Sequence, residues 1–251
     1  MPLYKVHAIV LRRTSLGETD RILRLLTREA GKVDAVAKGA RRGHSRLSGA
    51  TELFTHSRML LATGRTLDIV SQAEIRESFP GLRESLPDLA RATYLCDLVD
   101  RMVEEREPNP EAFDLLLSAL YLLQRAAEHP DVIVHAFELR LLAERGYRPQ
   151  LDRCVRCGAP PGRGRLGFSP SLGGLLCAEH RWTADDSMPL RLEALRAMER
   201  MQGDEPSDLL QLAPSPVAAR EIARCLRWHI RFRIEHDVRS ADLLDIIRAG
   251  A

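Results

Sequence analysis

The sequence lacks the marks of a membrane-bound or secreted protein. None of its apolar runs approaches the ~18 residues needed to cross a bilayer. The N-terminal stretch MPLYKVHAIVLRR alternates polar and apolar residues, where a signal peptide has a continuous apolar core. Five cysteines, an odd number in 251 residues, are not typical of a secreted disulfide scaffold. We therefore expect a cytoplasmic protein with no membrane partner.

The motifs of several common catalytic classes are also missing. The chain has no GxxxxGK[ST] phosphate loop, no HExxH pair and no acidic cluster typical of a two-metal nuclease. Cys96 and Cys225 each fall on an apolar helical stripe, without the histidine and acid of a nucleophile motif. These absences favour a binding protein over an enzyme.

Aromatic residues are scarce, and positive charge is concentrated in the first third of the chain. Residues 1–80 hold 14 Lys+Arg against 8 Asp+Glu, a net charge of +6, while the whole chain carries only +2. The same 80 residues contain just three aromatics, Tyr4, Phe54 and Phe79. A basic region with so few aromatics predicts nucleic-acid binding through phosphates, with little base stacking.

Residues 1–80 have the alternation of short β-strands. Tyr4, Val6, Ala8 and Val10 alternate with more polar positions, a period of two that places one set on one face of a strand. Four further segments of this kind are separated by turn signals: 21–27, 32–38, 53–63 and 66–75. The pattern predicts a five-stranded OB-like barrel, a nucleic-acid-binding domain over residues 1–80.

Residues 81–251 change to helical periodicity and predict a second, helical domain. Asn109-Pro110 is a helix cap followed by proline at the first helical position, and a further helix is expected from about Asp131 to Gly146. Six glycines and four prolines interrupt the helical pattern at about 148–182. Helical patterns return after this insertion. The fold class is therefore α+β, with an N-terminal barrel, a helical domain and an insertion.

The insertion carries the most specific motif, Cys154-x2-Cys157-x19-Cys177-x2-His180. Two pairs of side chains at this spacing can converge on one ion, and thiolate and imidazole are ligands that Zn²⁺ favours. Four protein ligands leave no open coordination position, so we expect one structural zinc ion. The alternative is a loop of reduced cysteines without metal.

Two basic clusters are candidate DNA contacts. The decapeptide KGARRGHSRL, at residues 38–47, follows the third predicted strand and is polar and cationic. On local composition alone a solvated turn is the favoured interpretation. The second cluster follows one face of a C-terminal helix: Arg220, Arg224, Arg227 and Arg231. Its alternative is a solvated face on which Arg231 pairs with Glu235.

The order of these parts resembles RecO, the bacterial recombination-mediator family. The segments that carry the resemblance are YKVHAIVLRRTSLGETDRILRLLTREAGK, VAKGARRGHSRLSGATELF and CVRCGA…FSPSLGGLLCAEH, and the likeness covers essentially the full chain. Zinc-bearing members often have cysteine at the last ligand position, where this chain has His180.

The resemblance implies a DNA-repair role without enzymatic activity. RecO-like proteins bind single- and double-stranded DNA and anneal complementary strands; with RecR they help RecA replace single-stranded-DNA-binding protein. Such a protein would act in the cytoplasm, at the nucleoid during repair. The family's DNA contacts would correspond to a basic set in the barrel: Arg12, Arg13, Lys38, Arg41, Arg42 and Arg46. The alternative is a zinc-containing RNA- or DNA-modifying or transcription-related protein.

Overall fold

The computed structural model describes residues 2–126, 128–162, 164–234 and 238–250. Contacts divide the chain into two units. The first unit comprises the residues up to Gln124 together with those from Arg239 on, and the second unit is Arg125–Val238. The division into domains 1–80 and 81–251 rests on the change of periodicity near residue 80 and stays a prediction.

A five-stranded closed barrel begins the first unit, as predicted. Its strands are β1 (Leu3–Leu16), β2 (Asp20–Thr27), β3 (Gly31–Ala37), β4 (His56–Ala62) and β5 (Asp68–Glu77). Their order around the barrel is β1-β2-β3-β5-β4, and β4 closes the barrel against β1. Neighbouring strands are antiparallel except β3 and β5, which pair in parallel.

The barrel interior follows directly from the alternating pattern. Val6, Ala8 and Val10 on β1 point into the barrel core, as the period of two requires. They meet the buried side chains of the other strands: Leu23, Leu25, Val33, Ala35, Ala37, Met59, Leu61 and Val70. The strands are held by this apolar core, which leaves the alternate positions available for charged side chains.

Four α-helices complete the first unit over its described residues. They are α1 (Gly81–Glu84), α2 (Leu86–Met102), α3 (Pro110–Arg125), which ends where the second unit begins, and α7 (Arg239–Gly250). The predicted cap is confirmed, because Asn109 Oδ1 accepts a hydrogen bond from Ala112 N at 2.9 Å and Pro110 opens α3. Helix α7 packs against α2, although the whole second unit separates them in sequence.

The described residues of the second unit form three α-helices and a small sheet. Its elements are α4 (Pro130–Glu144), β6 (Leu166–Ser169), β7 (Gly174–Leu176), β8 (Met188–Leu190), α5 (Leu192–Gly203) and α6 (Pro216–Arg233). Helix α4 ends as predicted, since Gly146 adopts a φ of +79° and its N–H bonds to Ala143 O at 3.1 Å. The sheet, in the order β7-β6-β8, lies partly within the glycine-rich insertion and was not predicted.

No helix in the described residues is both long enough and apolar enough to span a bilayer.

Candidate nucleic-acid interface and metal centre

The loop that joins β3 to β4 carries the KGARRGHSRL segment, here called the cationic loop (residues 38–47). Lys38, Arg41, Arg42 and Arg46 are all exposed. Within the described part of the chain, none of these four side chains forms an ion pair with a carboxylate. Their charges are therefore available to an anionic ligand.

The cationic loop is held against the turn between β1 and β2. Asp20 Oδ1 accepts a hydrogen bond from Gly39 N at 2.8 Å, and Arg41 N donates to Thr19 O at 2.9 Å. The Arg41 guanidinium also donates to Gly17 O at 3.1 Å. Gly39 has a φ of +64°, which lets the chain turn back at this point. The hydrogen bond from Gly39 is the main cause that lowers the pKa of Asp20.

A second anchor lies at the far end of the same connection. The Arg21 guanidinium donates to Thr51 Oγ1 at 2.7 Å and to Glu52 Oε1 at 2.9 Å. Glu52 also forms an ion pair with Arg13. Burial raises the pKa of Glu52, but hydrogen bonds and charges from Arg13 and Arg21 outweigh it, so the net shift is downward. Both ends of the connection between β3 and β4 are thus fixed to the barrel.

Other barrel cations are engaged by Asp100 on α2. Arg24 Nε donates to Asp100 Oδ1 at 2.8 Å, Lys32 Nζ lies 3.4 Å from the same oxygen, and Arg12 pairs with Oδ2. Burial raises the pKa of Asp100, but the Arg24 hydrogen bond and the three positive charges lower it below its ordinary value. Since Lys32 is only 5% exposed, this carboxylate neutralises a buried charge.

The structure therefore separates the six predicted DNA contacts into two groups. Arg12 and Arg13 lie in ion pairs with Asp100 and Glu52, respectively. The other four lie together on the cationic loop. All six stay predictions as DNA contacts. Arg12 and Arg13 already have carboxylate partners, whereas the four residues of the cationic loop have none within the described chain.

The described barrel residues, 2–80, present no exposed Phe, Tyr or Trp side chain, and their one exposed aromatic ring is the imidazole of His44. Phe54 and Phe79 are fully buried, and Tyr4 is partly buried and donates to Asp68. A nucleic acid on this surface would meet mainly guanidinium and ammonium groups, with few rings on which bases could stack. The geometry suits contact with phosphates.

The structure brings Cys154, Cys157, Cys177 and His180 together in the second unit. One ligand atom from each lies within 4.8 Å of all the others. Cys157 Sγ is 3.9 Å from Cys177 Sγ, and Cys177 Sγ is 3.2 Å from His180 Nδ1. A tetrahedral zinc site with Zn–S bonds of ~2.3 Å separates two sulfurs by ~3.8 Å. The four residues therefore fit a metal ion and could bind one.

Tight turns place the ligands in each half of this cluster. Gly158, with a φ of +72°, donates its N–H to Cys154 O at 2.9 Å, and His180 N donates to Cys177 O at 3.1 Å. Burial raises the pKa of Cys154, but N–H groups of Cys177, Cys157 and Arg156 lower it more, to about 6. Backbone groups that stabilise a thiolate also suit a metal ligand.

The arginines of the second cluster lie on α6, in the second unit. Arg220, Arg224 and Arg231 are exposed, and Arg227 is half-buried. Arg224 Nη2 donates to Pro189 O at 3.2 Å, and the Arg231 guanidinium lies 5.2 Å from the centre of the Trp228 ring. Glu235, the alternative partner of Arg231, lies outside the described residues. These arginines stay secondary candidates for DNA contact.

Sequence reasoning missed the acidic residues that organise the barrel cations. Asp20 anchors the cationic loop, Glu52 joins Arg13 and Arg21, and Asp100 joins three cations from three strands. Asp20 could have been found, because it stands in the quoted GETDRIL segment at the start of a predicted strand. No pattern in the neighbouring sequence indicates that Asp100 pairs with barrel cations, because Asp100 is 88 residues from Arg12 in sequence.

Comparisons with known proteins cover both parts of the chain. Residues 1–79 match the family model "Recombination protein O N terminal", and residues 83–242 match "Recombination protein O C terminal".

Full-length relatives agree with these matches. The chain is 42% identical over 252 residues to the DNA repair protein RecO of Symbiobacterium thermophilum, with 100% of each chain covered. It is 39% identical over 246 residues to that of Roseiflexus sp., covering 98% of this chain and 86% of the relative. For Desulforudis audaxviator the identity is 38% over 245 residues, with 97% of each covered. The resemblance inferred from the motifs is confirmed, and the chain belongs to the RecO family of DNA repair and recombination proteins.

Proposed function

We propose that this protein is a DNA-binding recombination mediator that acts without catalysing a covalent step. It binds single- and double-stranded DNA and promotes the annealing of complementary strands. With RecR, it helps load RecA onto DNA coated by single-stranded-DNA-binding protein. It acts in the cytoplasm, at the nucleoid during repair. The proposal takes residues 1–80 as the DNA-binding domain and residues 81–251 as a helical domain with a zinc-binding insertion at about 148–182.

The observation that carries the proposal is the state of the cationic loop. Four exposed cations lie on ten consecutive residues, and none is paired with a carboxylate in the described chain. Hydrogen bonds to Asp20, Thr19 and Gly17 hold the loop in place. A fixed set of unneutralised charges suits a polyanion, because little ordering entropy remains to be lost when it binds.

Annealing follows from phosphate contact that does not read bases. Two complementary strands repel each other through their phosphates, and a protein that contacts phosphates neutralises part of that charge. Contacts of this kind leave base edges free to pair. The absence of exposed Phe, Tyr and Trp on the described residues 2–80 favours this mode, because few bases would be held in stacks on the barrel.

The metal cluster is proposed to hold one zinc ion through Cys154, Cys157, Cys177 and His180. When bound, zinc would supply cross-links between two turns of the chain. Four protein ligands leave no position for a substrate, which favours a structural metal over a modifying enzyme.

A strand-annealing assay over a salt series, with and without RecR, tests the proposal. We expect annealing by the native protein to fall steeply as salt rises, since each phosphate contact contributes about 0.9 to the salt exponent on duplex DNA. Arg41→Ala/Arg42→Ala should fold normally and flatten the slope of log K against log[salt] by up to about two.

The matched control is Arg58→Ala/Arg65→Ala, which removes two exposed charges from the same barrel outside the cationic loop. It should change affinity and slope much less. Arg12→Ala/Arg13→Ala, in which both residues are already ion-paired, should give an intermediate or smaller loss. Equal losses in the loop variant and the control would reject the loop as the binding site, and annealing independent of salt would reject the mechanism.

A further inference from the structure

Both tryptophans of the chain lie exposed on the second unit. Trp182 is 70% exposed and Trp228 is 49% exposed, and Phe232, one helical turn after Trp228, is 54% exposed. Burial of a large aromatic side chain is normally favourable by about 1.5–3 kcal/mol, so adjacent exposed rings represent unused binding surface. The exposed indole and phenyl rings of this unit contrast with the described part of the barrel, where no Phe, Tyr or Trp is exposed.

Trp228 and Phe232 line a cleft of about 910 Å³, here called the aromatic cleft. One side is the α6 face that carries these two rings, and the opposing side is formed by residues 170–172 and 183–188. The 183–188 segment begins three residues after the metal-cluster residue His180. On α6 the two rings are four residues apart, which separates them by about 6 Å along the helix axis.

The aromatic cleft is also lined by arginines. Arg156, Arg224 and Arg231 belong to its wall, and Arg231 lies over the Trp228 ring. Asp185 and Asp186 are its carboxylates, but Asp186 is occupied by hydrogen bonds from Ser169 Oγ at 2.6 Å and Ser171 N at 2.7 Å. The cleft therefore combines exposed ring surface with three guanidinium groups and two carboxylates.

We infer that the aromatic cleft is a second DNA site, specific for single strands, in which bases stack on Trp228 and Phe232 while Arg156, Arg224 and Arg231 contact phosphates. Aromatic rings flanked by arginines are the usual way to bind single-stranded nucleic acid without sequence preference. Bases inside a duplex cannot reach such rings. This inference rests on the proposed function, to which it adds strand selectivity that the barrel loop does not provide.

An acidic peptide is the competing occupant, because it too would meet the three arginines. The rings favour DNA: two half-exposed rings on successive turns of one helix offer stacking surfaces to successive bases of a splayed strand. A single strand has a phosphate next to each base. The aromatic cleft has guanidinium groups next to its rings, so it can contact both parts of the strand. The test below includes the peptide so that either occupant can be recognised.

Tryptophan fluorescence of the full-length protein can test the site directly. In a Trp182→Phe variant, Trp228 is the sole tryptophan. We expect a short oligothymidylate to quench its emission, while an abasic oligonucleotide of the same length, with the same phosphates and no bases, leaves it nearly unchanged. Trp228→Ala/Phe232→Ala should weaken oligothymidylate binding about tenfold, with an unchanged salt slope and unchanged affinity for the abasic strand.

Two further variants control for folding and for loss of apolar surface. Trp228→Phe keeps a ring and should retain most of the affinity. Leu243→Ala/Ile246→Ala removes exposed apolar side chains from α7 and should change nothing.

Equal quenching by the abasic strand, or unchanged oligothymidylate affinity in Trp228→Ala/Phe232→Ala, would overturn the inference. Quenching by an acidic peptide and not by oligothymidylate would assign the cleft to the peptide. If only this site fails, the native protein still anneals strands in a salt-dependent way, and Arg41→Ala/Arg42→Ala still weakens that annealing. If the proposed function fails, the native protein does not anneal strands at all.

Discussion

The cationic loop of the barrel and the aromatic cleft of the second unit both present arginines to solvent, but they differ in what accompanies the charge. The loop has four exposed cations and lies on a barrel with no exposed Phe, Tyr or Trp among its described residues, while the cleft pairs its arginines with Trp228 and Phe232. Phosphate contact depends strongly on salt and little on strand form, whereas stacking depends on unpaired bases and little on salt. One chain can thus combine general DNA affinity with a preference for single strands.

Removal of the metal should have the largest effect of these changes. It should affect DNA binding by the aromatic cleft and leave DNA binding by the cationic loop in place. Cys154→Ser, or chelation of the native protein, should destabilise the second unit by on the order of 5 kcal/mol. This is less than the ~10–16 kcal/mol of zinc-finger peptides, because the unit also has an apolar core. Metal analysis and urea unfolding measure the loss. We expect quenching at Trp228 to disappear while binding of abasic strands by the barrel survives.

Cys225→Ser is the control for the metal experiment, since Cys225 is equally buried in the same unit but lies outside the cluster. It should keep a full complement of zinc. Purified protein without zinc, or chelation without any change in unfolding, would contradict the assignment.

Asp100→Asn should distinguish structural arginines from those that bind DNA. The change leaves buried Lys32 without its carboxylate and should cost about 3 kcal/mol of unfolding free energy. Arg12 loses its partner as well, so DNA affinity should not fall. Because the pKa of folded Asp100 is lowered, its contribution is complete above the ordinary value of about 3.9 and is lost as the pH falls through the lower folded value.

Asp34→Asn is the matched change for this prediction. Asp34 is 39% exposed, and Arg24 is its one ion-pair partner among the described residues, so its loss should cost about 1 kcal/mol or less. Urea titrations of both variants at neutral and acidic pH provide the comparison. Similar stability losses in the two would refute the special role of Asp100.

Asp20→Ala should have the smallest effect and probes how the cationic loop is held. Loss of the acceptor for Gly39 N should loosen the loop and weaken DNA binding a few-fold, although the barrel becomes more positive. Asp20→Asn keeps an oxygen acceptor and should bind nearly as well as the native protein. Tighter binding by Asp20→Ala, measured by fluorescence anisotropy, would show that net charge matters more than the fixed loop.

Much of the fold was readable from local patterns. The period of two in β1 identified Val6, Ala8 and Val10 as core residues, because a strand with one buried face leaves that mark in the sequence. The metal ligands were found for a similar reason, since each pair is close in sequence and must turn tightly. Asn109-Pro110 marked its helix because a cap acts through its own first turn.

The remaining features depend on contacts that no local pattern records. Asp100 meets Arg12 only after the barrel has closed and α2 has packed on it. Trp228 and Phe232 belong to residue types that usually point inward, yet α6 buries Ile222, Leu226 and Ile230 instead. Which face of a helix is covered is decided by its neighbours. Packing of α7 against α2 is equally a product of the tertiary fold.

The return of α7 to the first unit has a consequence for synthesis of the chain. All five barrel strands precede α2 in the sequence, so the barrel can close early as the chain emerges. Helix α2, in contrast, must wait until the entire second unit has been made before α7 can cover it. During that interval an apolar helix face stays open to water and to other nascent chains, a condition that favours aggregation. Within the first unit, α2 is therefore the element whose full burial depends on the synthesis of α7.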